Sequence, residues 1–414
     1  MKKTKLTYGI MVVLATLLSM WVLPSLVKKM TDGARNYPLV YYSSILKELC
    51  IIDFVHEKET FSDIKGNKYP RSEYDSLMPM LNFRQLMMDG RLPDTLEGCP
   101  IEPKLLRMKQ VVFRQYPSKV NAPQPTMGVL LEAMPKRLNI VLPGDYFRMD
   151  DKITFIDAET NQVDEAKSQR FTDALKRKGF AFPVKNYWGN PTTRKPYEEG
   201  YFCLDSNGEL FHLKMVNGRP FVKNTGIGKQ LKINWFSMME VPDKRFYGFI
   251  FGEDGEVGII QSINEGAGYE LVKMDIPPFD IHSDDLTIMG NLLYWTVRVT
   301  NQEGMNCYAL HSDNLEAVSQ FHMDPKTTLW DTISPWLFVT TLTPQTDTNA
   351  YVSLYFGAVS PKAFILNILL ALVFFFICRS RLTARQRAIR SVYLLFTGVI
   401  GLLPVLFLPT YEKN

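Results

Sequence analysis

The strongest constraint on this chain is where its uncharged residues lie. Residues 6–27, 361–378 and 391–409 are long apolar stretches, and they are grouped at the two ends of a 414-residue chain. Near 1.5 Å rise per residue, about 20 apolar residues cross a bilayer core, so each stretch reads as a transmembrane helix. The residues between them have the composition of an ordinary soluble protein. With 46% hydrophobic and 22% charged residues overall, the chain can bury a large core, which excludes global disorder. The distribution also excludes a purely cytosolic enzyme and a many-helix channel. Five cysteines in this length are too few for a disulfide-dense miniprotein.

The first stretch follows Lys2, Lys3 and Lys5. A cleaved signal peptide would have a shorter apolar run and a small-residue cleavage site. Here Trp21, Val22, Leu23 and Pro24 fill that region, which favours an uncleaved anchor. Ser360-Pro361 suits a helix start, with a capping hydroxyl and proline at the first helical position. Asn367 is the strongly polar residue inside the second stretch and is expected to meet a partner helix. Gly398 and Gly401 in the third suit close helix contact. Between the last two stretches lie Arg379, Arg381, Arg385, Arg387 and Arg390 without an acid. The positive-inside rule places them in the cytoplasm with the N-terminal lysines, although Lys28 and Lys29 argue mildly the other way.

The expected organisation is therefore a cytoplasmic 1–5, a helix over 6–27, a mixed α/β segment over 28–150 and β-repeats over 151–360. A helix over 361–378, a basic cytoplasmic loop over 379–390, a helix over 391–409 and an outer tail over 410–414 complete it. This corresponds to a bacterial inner-membrane protein with its main domain periplasmic or extracellular and its C-terminus outside. Removing the three lysines and five arginines on the cytoplasmic side from a net charge of +4 leaves −4 for the rest. The outer domain is thus mildly acidic, and nucleic acid is not an expected partner. The arginines read as a topology determinant, or more sharply as a contact for anionic lipid or a cytoplasmic partner.

An internal repeat runs through the outer domain. Residues 201–213 (YFCLDSNGELFHL) and 246–260 (FYGFIFGEDGEVGII) are hairpin-like, with Asn207-Gly208 and Asp254-Gly255 as type I′ turn pairs. Similar pieces turn near Asn161, Gly304 and Asn349, so the turns recur every 45–49 residues. That period with strand alternation is the pattern of β-propeller blades, against an irregular β-sandwich with evenly spaced hairpins. The fold expected is a mainly β, propeller-like outer domain plus three transmembrane helices. Before the repeats, residues 72–89 read as helix interrupted by Pro79, and 61–69 as a hairpin that echoes the spacing of Asp205 and Gly208.

Candidate chemistry is sparse. HExxH, a P-loop, G-x-S-x-G and CxxC do not occur. Thr225 to Lys229 resembles a phosphate loop, but Lys223 stands where the first glycine is needed, so it reads as a loop between strands. His282, Asp284 and Asp285 echo His311 and Asp313; together they could bind a divalent ion if their loops met, or serve as ordinary turn residues. Cys50 and Cys99 could pair in an oxidising compartment, while Cys203 and Cys307 suit buried thiols. The methionine clusters and Trp188, Trp235, Trp295, Trp330 and Trp336 read as packing. No cofactor is expected.

Residues 61–79 (FSDIKGNKYPRSEYDSLMP), 142–150 (LPGDYFRMD) and the arginine-flanked terminal spans resemble a family of uncharacterised bacterial membrane proteins. These have one N-terminal anchor, a large extracytoplasmic region and two C-terminal spans. The resemblance implies a role beside an ABC transporter and supplies no catalytic residues. Three spans are too few for a substrate pathway and carry no charged relay. The expected function is a non-enzymatic accessory protein, whose partners are the bilayer and a membrane complex. A stand-alone membrane-tethered sensor or binding module, and an extracytoplasmic propeller hydrolase or lyase, are the alternatives.

Overall fold

The computed structural model describes residues 5–31, 37–55, 58–325, 327–346, 352–380 and 382–408. They form two compact units. One spans residues 37–324; the other joins the two ends of the chain, 1–36 and 325–414. Lys2, Lys3, Arg381 and the turn near Asn349 lie outside the described residues. The terminal unit opens with α1 (Lys5–Thr31), of which Thr7–Thr31 is long and apolar enough to cross a membrane.

In the other unit, β1 (Leu39–Ser43), β2 (Glu48–Val55) and β3 (Lys58–Asp63) form an antiparallel sheet. Helices α2 (Arg71–Leu77) and α3 (Pro79–Met88) follow, divided where Pro79 requires it. Short strands β4 (Thr95–Leu96) and β5 (Cys99–Pro100) pair, and α4 (Pro103–Lys109) leads into β6 (Val111–Gln115) and α5 (Pro117–Asn121). The hairpin of β7 (Asp145–Met149) and β8 (Ile153–Asp157) packs on α6 (Glu165–Arg177). Helix α6 is capped by Asp164, which accepts from Lys167 N, and buries Ser168, Phe171, Thr172 and Leu175 as one stripe.

Three four-stranded antiparallel meanders come next. They are β9 (Asn186–Gly189), β10 (Tyr201–Leu204), β11 (Leu210–Val216) and β12 (Arg219–Asn224); then β13 (Ile233–Met238), β14 (Phe246–Gly252), β15 (Val257–Ile263) and β16 (Gly268–Lys273). The last is β17 (Asp285–Gly290), β18 (Tyr294–Asn301), β19 (Gly304–His311) and β20 (Ala317–Met323), extended by β6 pairing with β17. The hairpins expected at Gly208, Gly255 and Gly304 are the middle pairs of these sheets.

The unit is mainly β with several small sheets, and a closed propeller is not shown. The hairpin expected at Asn161 gives way to α6 after Val163, because residues 164–177 carry a cap and a 3.6-residue stripe. The piece around 337–356 belongs to the terminal unit. The turns also differ from type I′, which needs positive φ at both central residues. Asn207 and Asp254 lack it; Gly208 (φ 85°) and Gly255 (φ 84°) have it. With Gly208 N bonded to Asp205 O, and Gly255 N to Gly252 O, each is a type I turn closed by a left-handed glycine.

The terminal unit continues with α7 (Leu329–Leu337) and the hairpin of β21 (Leu342–Thr346) and β22 (Val352–Phe356). Then come α8 (Pro361–Ile377), α9 (Ala384–Thr397) and α10 (Val399–Phe407). The stretch read as one span over 391–409 is thus two helices, divided at Gly398 (φ 57°, ψ −134°). Arg390 Nη1 donates to Val405 O at 3.0 Å, which requires α10 to double back along α9. Among the described residues the expected basic loop is likewise largely helix: Arg385, Arg387 and Arg390 lie on α9, and Arg379 lies in the turn before it. Asn367, fully buried, donates to Leu395 O at 3.1 Å, and Gly398 sits against its amide, where a Cβ would come within 1.9 Å of Oδ1. Thr16 Oγ1 and Tyr393 OH, 2.6 Å apart, join α1 to α9.

The turn between β10 and β11 is held by fully buried Asp205, whose Oδ1 accepts from Asn207 N and Glu209 N at 2.9 Å and whose Oδ2 accepts from Ala181 N at 3.1 Å. Asp205→Ala leaves these donors unpaired and is expected to cost about 3 kcal/mol. A lowered urea midpoint by tryptophan emission, with an unchanged m-value, is the check.

Candidate functional site

The first strands of two meanders, β9 and β13, lie beside one another, and β6 adds the inner edge of the third. Their side chains line a cleft of about 600 Å³. Trp188 and Trp235 meet edge to face at 5.9 Å, and Phe113 stacks on Phe249 at 3.9 Å, which fixes its ring from behind. Trp235 Nε1 donates to Ser237 Oγ, which donates to Gln115 Oε1, each at 3.0 Å, so the indole and β6 are held in register. Gly189 admits the ring of Tyr201, since a Cβ there would approach it to 2.5 Å. Arg114 and Lys119 bring positive charge to the rim, and Lys119 Nζ donates to Arg114 O at 3.2 Å.

Past Asn186 and Tyr187 the cleft continues into a hollow of about 590 Å³ beside Arg148, Asp150, Asp151, Lys152 and Lys185. Burial pushes the Tyr187 phenol up to about 12, and its hydroxyl has no hydrogen-bond partner among the described residues. Among the described residues, the first hollow is lined by aromatics, amides, methionines and two cations, with no carboxylate, thiol or imidazole. Such a surface can stack, exclude water and attract an anion. Its ionisable side chains are Arg114, Lys119, Tyr187 and Tyr201, and carboxylates enter at Asp150 and Asp151 of the second hollow.

A separate polar cleft of about 610 Å³ lies where the β9–β10 loop meets the β13–β14 loop, lined by Tyr197, Glu199, Lys214, Asp243, Arg245 and Tyr247 among others. The same two loops hold an ionic cluster whose side chains are at most 3% exposed: Lys195 Nζ is 2.8 Å from Glu198 Oε2 and 2.5 Å from Glu240 Oε1. Asn190 Nδ2 donates to Glu240 Oε2 at 2.7 Å. Burial holds the Glu198 carboxyl above its ordinary range, against the pull of Lys195. Outside this cluster Lys214 pairs with Glu199 at 2.8 Å and Arg245 with Asp243 at 2.8 Å. Each of these charged side chains has an oppositely charged neighbour, so we read this cleft as a structural latch between two sheets.

His212 is buried beneath it. Its Nδ1 lies 2.8 Å from Tyr269 OH and its Nε2 2.5 Å from Glu199 O; the carbonyl can only accept, so Nε2 carries the proton. Burial, aided by Lys214 and Lys223, pushes the imidazole down to about 3.

The metal candidates stand on separate elements. His282 lies in the loop before β17, with Nδ1 2.8 Å from Asn121 Oδ1, and Asp284 accepts from Ser283 Oγ at 2.7 Å. Asp285 opens β17, and burial raises its carboxyl. His311 closes β19 with its ring 5.1 Å from Tyr294, and Asp313 accepts from Ser312 Oγ at 3.4 Å. Among the described residues no group of three or more His, Cys, Asp or Glu is arranged to hold a metal ion. Cys50 and Cys99 are free thiols, as are the other three cysteines.

A family model described as a domain of unknown function, DUF4857, matches residues 39–310. The chain belongs to this family. The match falls wholly within the β-rich unit and includes the aromatic cleft. No curated protein sequence matches this DUF4857 chain. Among solved structures it is similar to the dihydro-heme d1 dehydrogenase NirN in complex with DHE, at 11% identity over 66% of this chain and 78% of that one. The TM-score is 0.19, too low to carry an argument about fold or activity.

Sequence reasoning placed Trp188 and Trp235 as packing and passed over Arg114, Gln115 and the Lys195 cluster. The run Arg194-Lys195-Pro196-Tyr197-Glu198-Glu199, with charges of both signs around Tyr197 inside a strand connection, is the signal that marks the cluster.

Because folded His212 resists protonation, the unfolded chain binds an extra proton below about pH 6.5. Stability contributed by the neutral ring is present above that pH and lost as pH falls toward 3, by up to about 1.4 kcal/mol per pH unit. Glu198 acts in the opposite sense, its contribution fading as pH rises. His212→Gln should therefore flatten the acid limb of unfolding free energy against pH, measured by urea denaturation over a pH series.

Proposed function

We propose that this chain is a non-enzymatic, membrane-anchored recognition protein that uses the aromatic cleft of its β-rich unit to bind a ligand or protein outside the cytoplasm. The observation that carries this reading is the cleft itself. It combines an aromatic wall with a cationic rim, which suits stacking on a ligand and attracting an anionic group. In this reading α1 and α8 cross the bilayer, with the lysines near the start of α1 and the arginines of α9 on the cytoplasmic side. Helices α9 and α10 form a re-entrant hairpin, so the C-terminus returns to the cytoplasmic face instead of lying outside.

The hairpin is supported by the contact of Arg390 with Val405 and by that of Arg387 Nη1 with Phe375 O at 3.1 Å. Both arginines meet carbonyls in the last turns of helices, where cations are favoured. An exposed apolar face of α8, with Ile365, Leu369, Leu372 and Phe376, is available to lipid or to another helix. We propose a transporter of the ABC class as the membrane partner, on the resemblance described above.

A reporter active only in the cytoplasm, fused after residue 414, is expected to be active. A reporter active only outside, fused at the same point, is expected to be silent; the reverse pattern restores a third crossing.

Recognition is tested by purifying the intact protein from its native membrane in mild detergent and identifying what accompanies it. A co-purifying partner is expected to be lost at least tenfold on charge reversal at the rim, Arg114→Glu with Lys119→Glu, if those charges steer it. It should be lost also when residues 361–409 are replaced by an unrelated anchor. Recovery of the chain alone, or capture indifferent to both changes, counts against the proposal.

A further inference from the structure

Among the described residues, 329–346 and 352–359 belong neither to the apolar helices nor to the β-rich unit, and several of them expose large apolar side chains. In α7, Leu329, Trp330, Ile333, Trp336 and Leu337 follow helical spacing on one side, opposite Asp331 and Pro335. Trp336 is 44% exposed and Leu329 59%. In β22, Val352, Leu354 and Phe356 alternate onto one face and are 64%, 60% and 62% exposed. Three large apolar side chains in a row on an exposed hairpin face are a liability in water unless something covers them.

The position of this patch says what covers it. Helix α7 packs on α8 and α1, and β21 packs on α1, so the patch is continuous with the apolar helices. The connection is fixed: Ser360 N donates to Val339 O and Gly357 N to Thr341 O, both at 2.8 Å, and Ser360 Oγ donates to Pro335 O at 2.6 Å. Lys362 Nζ, at the first turn of α8, lies 6.0 Å from the Trp336 ring centroid. An indole with a lysine at the end of an apolar helix fits the headgroup level, where the ring sits at the boundary and the ammonium reaches water.

We infer that α7 and the β21–β22 hairpin form a collar that lies in the outer membrane–water interface, with its apolar residues entering the acyl boundary of the lipid. The occupant of the patch is lipid, not a partner protein. The inference rests on the reading of α1 and α8 as crossing helices. The collar would fix the depth of both helices and keep the Lys362 end of α8 at the surface.

The test is depth-dependent quenching in the full chain, reconstituted in phosphatidylcholine–phosphatidylglycerol vesicles with bromine near either the carbonyl end or the tail of the acyl chain. Three of the six tryptophans, Trp188, Trp235 and Trp295, are buried in the β-rich unit and contribute an unquenched background. Trp21, on α1, reports the anchor. The expected result is that Trp330→Phe with Trp336→Phe at least halves quenching by the shallow bromine, while Trp21→Phe removes quenching by the deep one. If the double variant leaves shallow quenching unchanged and Trp21→Phe still removes deep quenching, the collar is overturned and the anchor stands, and the patch awaits a protein. If neither variant changes quenching, both fail. A spin label at Phe356→Cys, with Cys99 and Cys378 replaced by serine, gives a second readout: the collar requires greater accessibility to oxygen than to a water-soluble nickel reagent.

Discussion

Neither face of a four-stranded sheet in the β-rich unit can be left in water. Every residue of β14 is buried, and its neighbours supply apolar side chains to both sides. A sheet of this kind is stable only between two others, and the sequence provides them in order. Phe202 of the first meander meets Phe236 of the second at 4.6 Å, and Phe246 of the second meets Trp295 of the third at 5.8 Å. The outermost sheets then need covers of a different kind. The β7–β8 hairpin and α6 bury Phe147, Phe155 and Phe171 against Cys203, Phe211 and Leu213 on one side. On the other, Val40, Tyr42 and Leu49 of the first sheet cover Met305, Cys307 and Ala309. Capping elements that differ from the repeats are what a stack of self-similar sheets requires.

This constraint also produces the cleft. Packing the meanders face to face brings their first strands together at one edge, where side chains converge from β6, β9 and β13. Phe113, Trp188 and Trp235 serve the core with one part of their surface and line the opening with another. The rigidity of this wall is therefore a by-product of the packing that holds the unit together, and Trp235, Ser237 and Gln115 add the polar link that sets its orientation.

The three middle hairpins were legible in the sequence because each couples a turn glycine to flanking alternation, both local signals. The α6 segment was legible too, since Asp164 and the stripe through Phe171 and Leu175 are a helix pattern, but an even turn spacing outweighed it. The cleft was not legible. Val111–Gln115 pairs with β17 across some 170 residues of chain, and no local pattern announces a long-range partner. The fold-back at Gly398 was hidden for a different reason. Within an apolar run a glycine reads as a helix contact, and it is one here, against Asn367. Its left-handed φ, which turns the chain, leaves no mark on composition.

Asn367 shows why that turn is stable. A carboxamide inside an apolar bundle must find partners, and Asn367 reaches the carbonyl of Leu395, in the last turn of α9, where no following helical residue claims it. Arg387 and Arg390 do the same for the ends of α8 and α10. The side chains of Asn367, Arg387 and Arg390 thus each reach a carbonyl near the end of another helix, a group that the break would otherwise leave without a partner. With α10 packed on α1, helices from both ends of the chain complete one bundle, so the β-rich unit is an insertion between α1 and α7 held at both ends.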